Sequence, residues 1–325
     1  MSSRLSQTNF LTPIQDLIPS VEELMLAQSR GHHSELGAAL NHLLASGGKR
    51  VRPAVTLLTG GMLGGEIQRL ITLAAAIELL HTATLVHDDL IDGSLLRRGN
   101  PTINAQWSPA ATVLTGDFIF SRAAKLAAET GSVEVMSLFA ETLSTIVNGE
   151  ITQLFGSKGL VSREDYFQRI HAKTASLFEL ATGAAAILSP VDEGIREQVC
   201  SYGYEVGIAF QIVDDVLDFT GDPAAVGKPL ASDLRQGLVT LPALYYIEAH
   251  PEDKDMQSVL AGNRYDDDLI NRVVKSIRSS GAIQKSLDEA RNFVERSIKA
   301  ISSLPENTEH RALVELAEYI VDRNL

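Results

Sequence analysis

Apolar residues recur at i, i+3 and i+4 along almost the whole chain, while strict apolar–polar alternation is nearly absent. The first pattern places an apolar stripe on one side of a helix; a half-buried strand would need the second. An all-α fold with no convincing strand is therefore expected. Helices are expected over about residues 14–29, 35–46, 53–63, 66–91, 109–129, 133–156, 163–188 and 191–219, with shorter ones from about 235 onward. Segments 66–91, 163–188 and 191–219 are rich in Ala, Leu, Ile and Val on more than one face, which suits helices inside a bundle. No linker, composition shift or repeat period divides the 325 residues, so one domain spanning 1–325 is expected.

Charge narrows the partners. Lys and Arg total 28 against 41 Asp and Glu, a net charge of -13, which disfavours a nucleic-acid surface. Cys200 is the single cysteine, so neither an internal disulfide nor a thiolate zinc cage is available, and its apolar neighbours suit a buried thiol. The first ten residues lack the basic-then-apolar order of a secretory leader, and no uncharged apolar run reaches the ~18 residues of a membrane span. A cytoplasmic protein without a transmembrane segment is expected.

Two acidic segments interrupt this apolar background. His87–Asp92 reads HDDLID, which puts Asp88 and Asp92 one turn apart on a single helix face with Asp89 beside them. DDVLD repeats the spacing with Asp214, Asp215 and Asp218 at the end of another apolar helix. Like charges at i, i+4 repel, and acids at a helix C-terminus oppose the macrodipole, so each segment is eased by a bound cation. One such segment alone would as readily be a solvated helix end; two on apolar helices favour metal. Oxygen-only donors without Cys or paired His point to a hard ion such as magnesium, completed by phosphate oxygens.

Basic side chains cluster near these acids despite the acidic total. GGKRVRP, Gly47–Pro53, brings Lys49, Arg50 and Arg52 to a helix start, with Pro53 suited to the first helical position. Arg97 and Arg98 follow the first acidic segment, Lys173 and Thr174 lie in AKTASLF, and Lys228 follows the second segment. Arginine forks and lysine point charges of this kind suit two diphosphates. His81 lies two turns before Asp88 on the same face, and Gln211 lies three residues before Asp214. Ala83 and Thr84, one turn before the first acids, leave room beneath them.

These motifs resemble the trans-isoprenyl diphosphate synthases, the polyprenyl synthetase family. GGKRVRP, ELLHTATLVHDDLIDGSLLRRGNPT, LTGDF, KTASLF, FQIVDDVLDFTGD and GKPLASDL stand in the family's order over about residues 40–242. The resemblance implies an isoprenoid-synthase bundle around a deep central cavity, usually homodimeric, with its two Asp-rich helices facing each other. It implies Asp88, Asp92 and Asp214 as leading magnesium ligands, with Asp89, Asp215 and Asp218 supporting them. It assigns Lys49, Arg52, His81 and Arg98 to isopentenyl diphosphate, and Arg97, Lys173, Thr174, Gln211 and Lys228 to the allylic diphosphate, Lys173 joining Asp88, Asp92 and Asp214 as catalytic. Relatives commonly carry Lys or Asn where this chain has Leu238, which removes one secondary diphosphate contact.

The implied reaction is a head-to-tail condensation that ionises the allylic diphosphate and adds five carbons. Short-chain relatives commonly carry bulky aromatics four and five residues before the first Asp; Thr84 and Ala83 stand there here, so a medium- or long-chain all-trans product is expected, with delivery to membrane enzymes. The alternatives are a geranylgeranyl or farnesyl diphosphate synthase, or another class I terpenoid enzyme, which would not need GGKRVRP, His81 and Arg98. A metal-dependent phosphohydrolase would want further spaced His ligands, and a non-catalytic subunit would be expected to lose Asp residues that this chain keeps.

Overall fold

A computed structural model of the chain describes residues 9–45, 48–97, 99–156, 162–221, 230–262 and 266–322. Helices dominate, as the periodicity requires. A 3-10 turn, Asn9–Ile14, precedes α1 (Ile18–Ala27), α2 (Ser34–Ala45), α3 (Val51–Met62) and α4 (Ile67–Ile91). Next come β1 (Leu96–Arg97), β2 (Asn100–Pro101), α5 (Ile103–Gln106), α6 (Pro109–Glu129) and α7 (Val133–Phe155). α8 (Arg163–Ile170), a π-helical turn (His171–Ala175), α9 (Ser176–Ile187) and α10 (Glu193–Thr220) follow. The remainder is α11 (Ser232–Gln236), α12 (Leu241–Ala249), α13 (Lys254–Leu260), α14 (Asp267–Ser279), α15 (Ala282–Ile301) and α16 (Thr308–Asp322).

Local chemistry sets several boundaries. Ser108 accepts from the Ala111 N–H at 3.3 Å with Pro109 at the first helical position, which starts α6. Ser162 and Asp165 form a reciprocal capping box at α8. α3 begins two residues earlier than expected, so Pro53 is its third residue rather than its first. That is still within the first turn, where a missing N–H leaves no helical bond unmade.

Two expectations need correction. The segment after α4 holds a small antiparallel ladder, Leu96 against Pro101 and Arg97 against Asn100. Strands of two residues are too short for alternation to register in sequence. Residues 163–188 do not form one continuous α-helix but are broken by the π-helical turn.

The chain divides into two compact units. Unit 1 comprises Met1–Leu143, Leu177–Gly203 and Ala300–Leu316. Within it α4 packs against α6, α3 and α1. Leu73, Ala74, Ala75, Ala76, Ile77, Leu79 and Leu80 are fully buried, so successive residues on every side of α4 meet protein. Each buried Leu or Ile contributes about 1.5–3 kcal/mol relative to exposure. α4 is long and apolar enough to cross a membrane, but most of its apolar window is enclosed by the protein, as for a core helix.

Unit 2 comprises Ser144–Ser176, Tyr204–Lys299 and Ala317–Leu325. Its core includes Tyr166, Ile208, Ile212, Val216 and Phe219. α14 shows why its sequence is helical: Leu269, Ile270, Val273, Val274 and Ile277 are buried along one face, while Asp267 and Asp268 enrich its first turn.

Candidate active site

In unit 1 the first acidic segment occupies the last turn of α4. Asp92 is the C-terminal cap, and its N–H donates to the Asp88 carbonyl at 2.8 Å. Asp88 is half-buried and Asp92 exposed, one turn apart on one face. Asp89 turns elsewhere. Only 4% exposed, it accepts from Arg97 Nε at 3.0 Å through both oxygens and from Nη2 at 2.8 Å. The β1–β2 ladder carries Arg97, so a backbone register and a bidentate carboxylate both hold that guanidinium beside the acidic turn.

The preceding residue, His87, explains another motif. A Cβ on Gly116 would lie 2.1 Å from His87 Nε2, so α6 passes this ring at a distance only glycine permits. His87 Nε2 stands 3.3 Å from the Val113 carbonyl and 3.5 Å from Asp117 Oδ1. Gly116 and Asp117 of LTGDF thus brace the residue next to Asp88. Sequence reading recognises this motif without assigning it a task.

Elsewhere in unit 1, Lys49 is exposed, and the Arg52 guanidinium lies 5.0 Å from the Phe178 ring centroid. His81 is half-buried, with its carbonyl accepting from Thr84 Oγ1 at 2.8 Å. Ala83 is fully buried and Thr84 half-buried. A cavity of about 710 Å³ in this unit is lined by His33, Leu36, Trp107, Leu114 and Phe118, and neither Ala83 nor Thr84 lines it. Arg98 lies outside the described residues, as does Lys228.

In unit 2 the second acidic segment ends α10, and its three carboxylates occupy different surroundings. Asp214 is half-buried. Asp215 is buried, accepting from Tyr166 Oη at 2.8 Å and from Gln211 Nε2 at 2.8 Å. Burial, then the nearby Asp233 carboxylate, push Asp215 above the usual carboxylate range; burial likewise raises Tyr166. Asp218 Oδ1 accepts from Ser232 N at 3.0 Å and Ser232 Oγ at 2.7 Å, and Oδ2 accepts from Asp233 N at 3.2 Å. It therefore caps α11, whose own flanking residue, Ala231, has no capping side chain. Leu238 follows Gly237, and its N–H donates to the Asp233 carbonyl at 2.9 Å.

The π-helical turn supplies the other predicted groups. Lys173 Nζ is 3.0 Å from Glu150 Oε1, and Thr174 Oγ1 donates to Gln211 Oε1 at 2.6 Å. A Cβ on Gly149 would lie 2.6 Å from the Ala172 Cβ, so α7 also approaches this turn closely. Such turns insert a residue into helical register and recur at functional sites. Tyr166, Glu150 and Asp233 escape sequence reading because their partners lie far along the chain. The visible signals were only the paired aromatics Tyr166 and Phe167 in a charged helix and acids near basic motifs.

Among the described residues, no three His, Cys, Asp or Glu side chains converge as an ion-holding group. Asp89, Asp215 and Asp218 are engaged by Arg97, by Tyr166 and Gln211, and by the start of α11. The carboxylates of the two acidic segments are of the donor type that a hard ion such as magnesium would take. All are oxygen donors, and one or two carboxylates per ion suffice when phosphate oxygens complete the shell.

The sequence model of the polyprenyl synthetase family matches residues 33–277. The chain is 35% identical over 314 residues to heptaprenyl diphosphate synthase component 2 of Geobacillus stearothermophilus, covering 96% of this chain and 97% of that protein. It is 39% identical over 287 residues to the all-trans-nonaprenyl-diphosphate synthase (geranyl-diphosphate specific) of Rhodobacter capsulatus, covering 87% of each. A crystal structure of a polyprenyl synthase from Caulobacter crescentus CB15, complexed with calcium and isoprenyl diphosphate, superposes with TM-score 0.92 at 34% identity, over 98% of each chain.

Proposed function

This chain belongs to the polyprenyl synthetase family, and from that premise we propose that it condenses isopentenyl diphosphate with an allylic prenyl diphosphate, head to tail, to give a medium- or long-chain all-trans polyprenyl diphosphate. It is a transferase of the prenyltransferase type. The observation that carries the reading is the arrangement at the end of α4: Arg97, fixed bidentately by Asp89, stands next to a turn whose Asp88 and Asp92 share a face. Carboxylates for a cation and a cation for an anion, built into one turn and its hairpin, suit a metal-bound diphosphate.

Asp88, Asp92 and Asp214 would hold magnesium, which when bound would supply positive charge to the departing diphosphate. Asp89, Asp215 and Asp218 support them through the contacts above. Arg97, Lys173, Thr174, Gln211 and Lys228 orient the allylic diphosphate, and Lys49, Arg52, His81 and Arg98 orient the isopentenyl one. The allylic carbon–oxygen bond breaks to a delocalised cation and diphosphate, the isopentenyl double bond attacks the cation, and a proton passes to the departed diphosphate. Fixed charges lower the barrier because they need not reorganise as the leaving group gains charge. Water must be excluded, since it would capture the cation.

Ala83 and Thr84 are small where a bulky side chain would stop chain growth, and relatives named for seven- to nine-unit products agree with a long product. The chain acts as a single domain and as a homodimer in the cytoplasm, without a transmembrane segment, passing its product to membrane enzymes. Exposed Val147, Ile151, Leu154 and Phe155 along one side of α7 support a self-association surface. Incubation with farnesyl diphosphate, labelled isopentenyl diphosphate and magnesium, followed by sizing of the dephosphorylated products, tests the reading. A ladder of long prenols is expected. Free farnesol with unconsumed label overturns it, and an unchanged ladder from Ala83→Phe overturns the chain-length assignment.

A further inference from the structure

Arg50 lies between Lys49 and Arg52, yet its side chain is committed inside the protein. Its backbone is left-handed, with φ 49° and ψ 38°, a region that a non-glycine residue holds only when its surroundings compel it. Nε donates to Glu22 Oε1 at 2.8 Å, Nη1 to Glu78 Oε1 at 3.3 Å and Nη2 to the Leu44 carbonyl at 3.1 Å. The side chains of Arg50 and Glu78 are only 12% and 8% exposed. One guanidinium thereby joins α1, α2 and α4 to the first turn of α3, where the Arg50 carbonyl accepts from Ala54 N at 2.9 Å.

This geometry needs arginine. Three acceptors in three directions match a planar fork, whereas an ammonium is a single point charge. Glu78 is also the one acid inside the apolar stretch of α4, and it stands one turn before His81 on the same face. Before the backbone reversal Lys49 is exposed; after it Arg52 is 9% exposed against Phe178. We infer that Arg50 is a positioning residue for the isopentenyl diphosphate half of the site: its reversed backbone and three-way clamp set Lys49 and Arg52 against His81. The inference rests on reading those three residues as diphosphate contacts.

Steady-state kinetics of the full chain, varying each substrate while the other saturates, test it with Arg50→Lys, Arg50→Gly and Glu78→Gln. Each variant raises KM for isopentenyl diphosphate about tenfold or more, while KM for the allylic substrate changes less than about twofold and kcat less than about threefold. Arg50→Gly relaxes the backbone while deleting the fork, so its matching defect assigns the effect to the clamp rather than to strain. Combining Arg50→Lys with Glu78→Gln adds little beyond the worse single variant. Folding is checked by circular dichroism; if Arg50→Gly does not fold, the near-isosteric Glu78→Gln carries the same comparison. An unchanged isopentenyl KM, or equal rises in both KM values, in folded variants overturns the inference. A wild-type protein that never consumes isopentenyl diphosphate overturns instead the functional reading beneath it.

Discussion

Asp88 and Asp214 carry the sharpest residue-level consequence, because each contributes charge at a helix end whose carbonyls are already negative. On the proposed reading, removing either deprives the departing diphosphate of its counter-charge. Asp88→Ala and Asp214→Ala should lower kcat by about 100-fold or more with little loss of stability. Label incorporation and thermal unfolding measured on the same samples check both halves. Cys200 gives a pH-dependent expectation. Burial, and then the Glu179 charge, push its thiol up to about 11, so the folded state disfavours the thiolate. Its contribution to stability is complete below the unfolded thiol pKa and declines as pH rises from there through about 11. Iodoacetamide should therefore label the native protein much more slowly at pH 8.5 than it labels the urea-unfolded chain. Cys200 is half-buried rather than fully enclosed, and equal rates would contradict that partial shielding.

At the scale of elements, Asp218 connects the end of α10 to the start of α11 with three hydrogen bonds. Asp218→Ala should cost about 1 kcal/mol of stability even in metal-free buffer, as loss of a helix cap does. Urea unfolding in chelator measures that cost apart from any role in catalysis. The helices themselves were legible in sequence because 3.6-residue periodicity is a local signal repeated over many turns. Both acidic segments were likewise legible as helix ends, since Asp88, Asp92 and Asp214 follow long apolar runs. The different surroundings of Asp89, Asp215 and Asp218 were not. Arg97, Tyr166 and Ser232 become their partners through a hairpin, a distant helix and a return of the chain, none of which has a periodic signature.

For the molecule as a whole, two compact units share the chain in alternating stretches. Each unit gathers non-adjacent stretches, so no Gly- or Pro-rich linker marks the boundary as it does between independent domains. The exposed side of α7 leads to a prediction at this scale. Phe155, 82% exposed, joins Val147, Ile151 and Leu154 at helical spacing. Phe155→Glu should shift a sedimenting dimer toward monomer, and an unaltered sedimentation coefficient would locate the self-association surface elsewhere. The π-helical turn at His171–Ala175 has a different kind of reach. Because such a turn carries one residue more than an α-helical turn, excising one amino acid there would regularise the coil and change the local helical phase of Lys173 and Thr174. Point substitutions leave that phase untouched, so a deletion scan would expose a dependence on chain length that an alanine scan passes over.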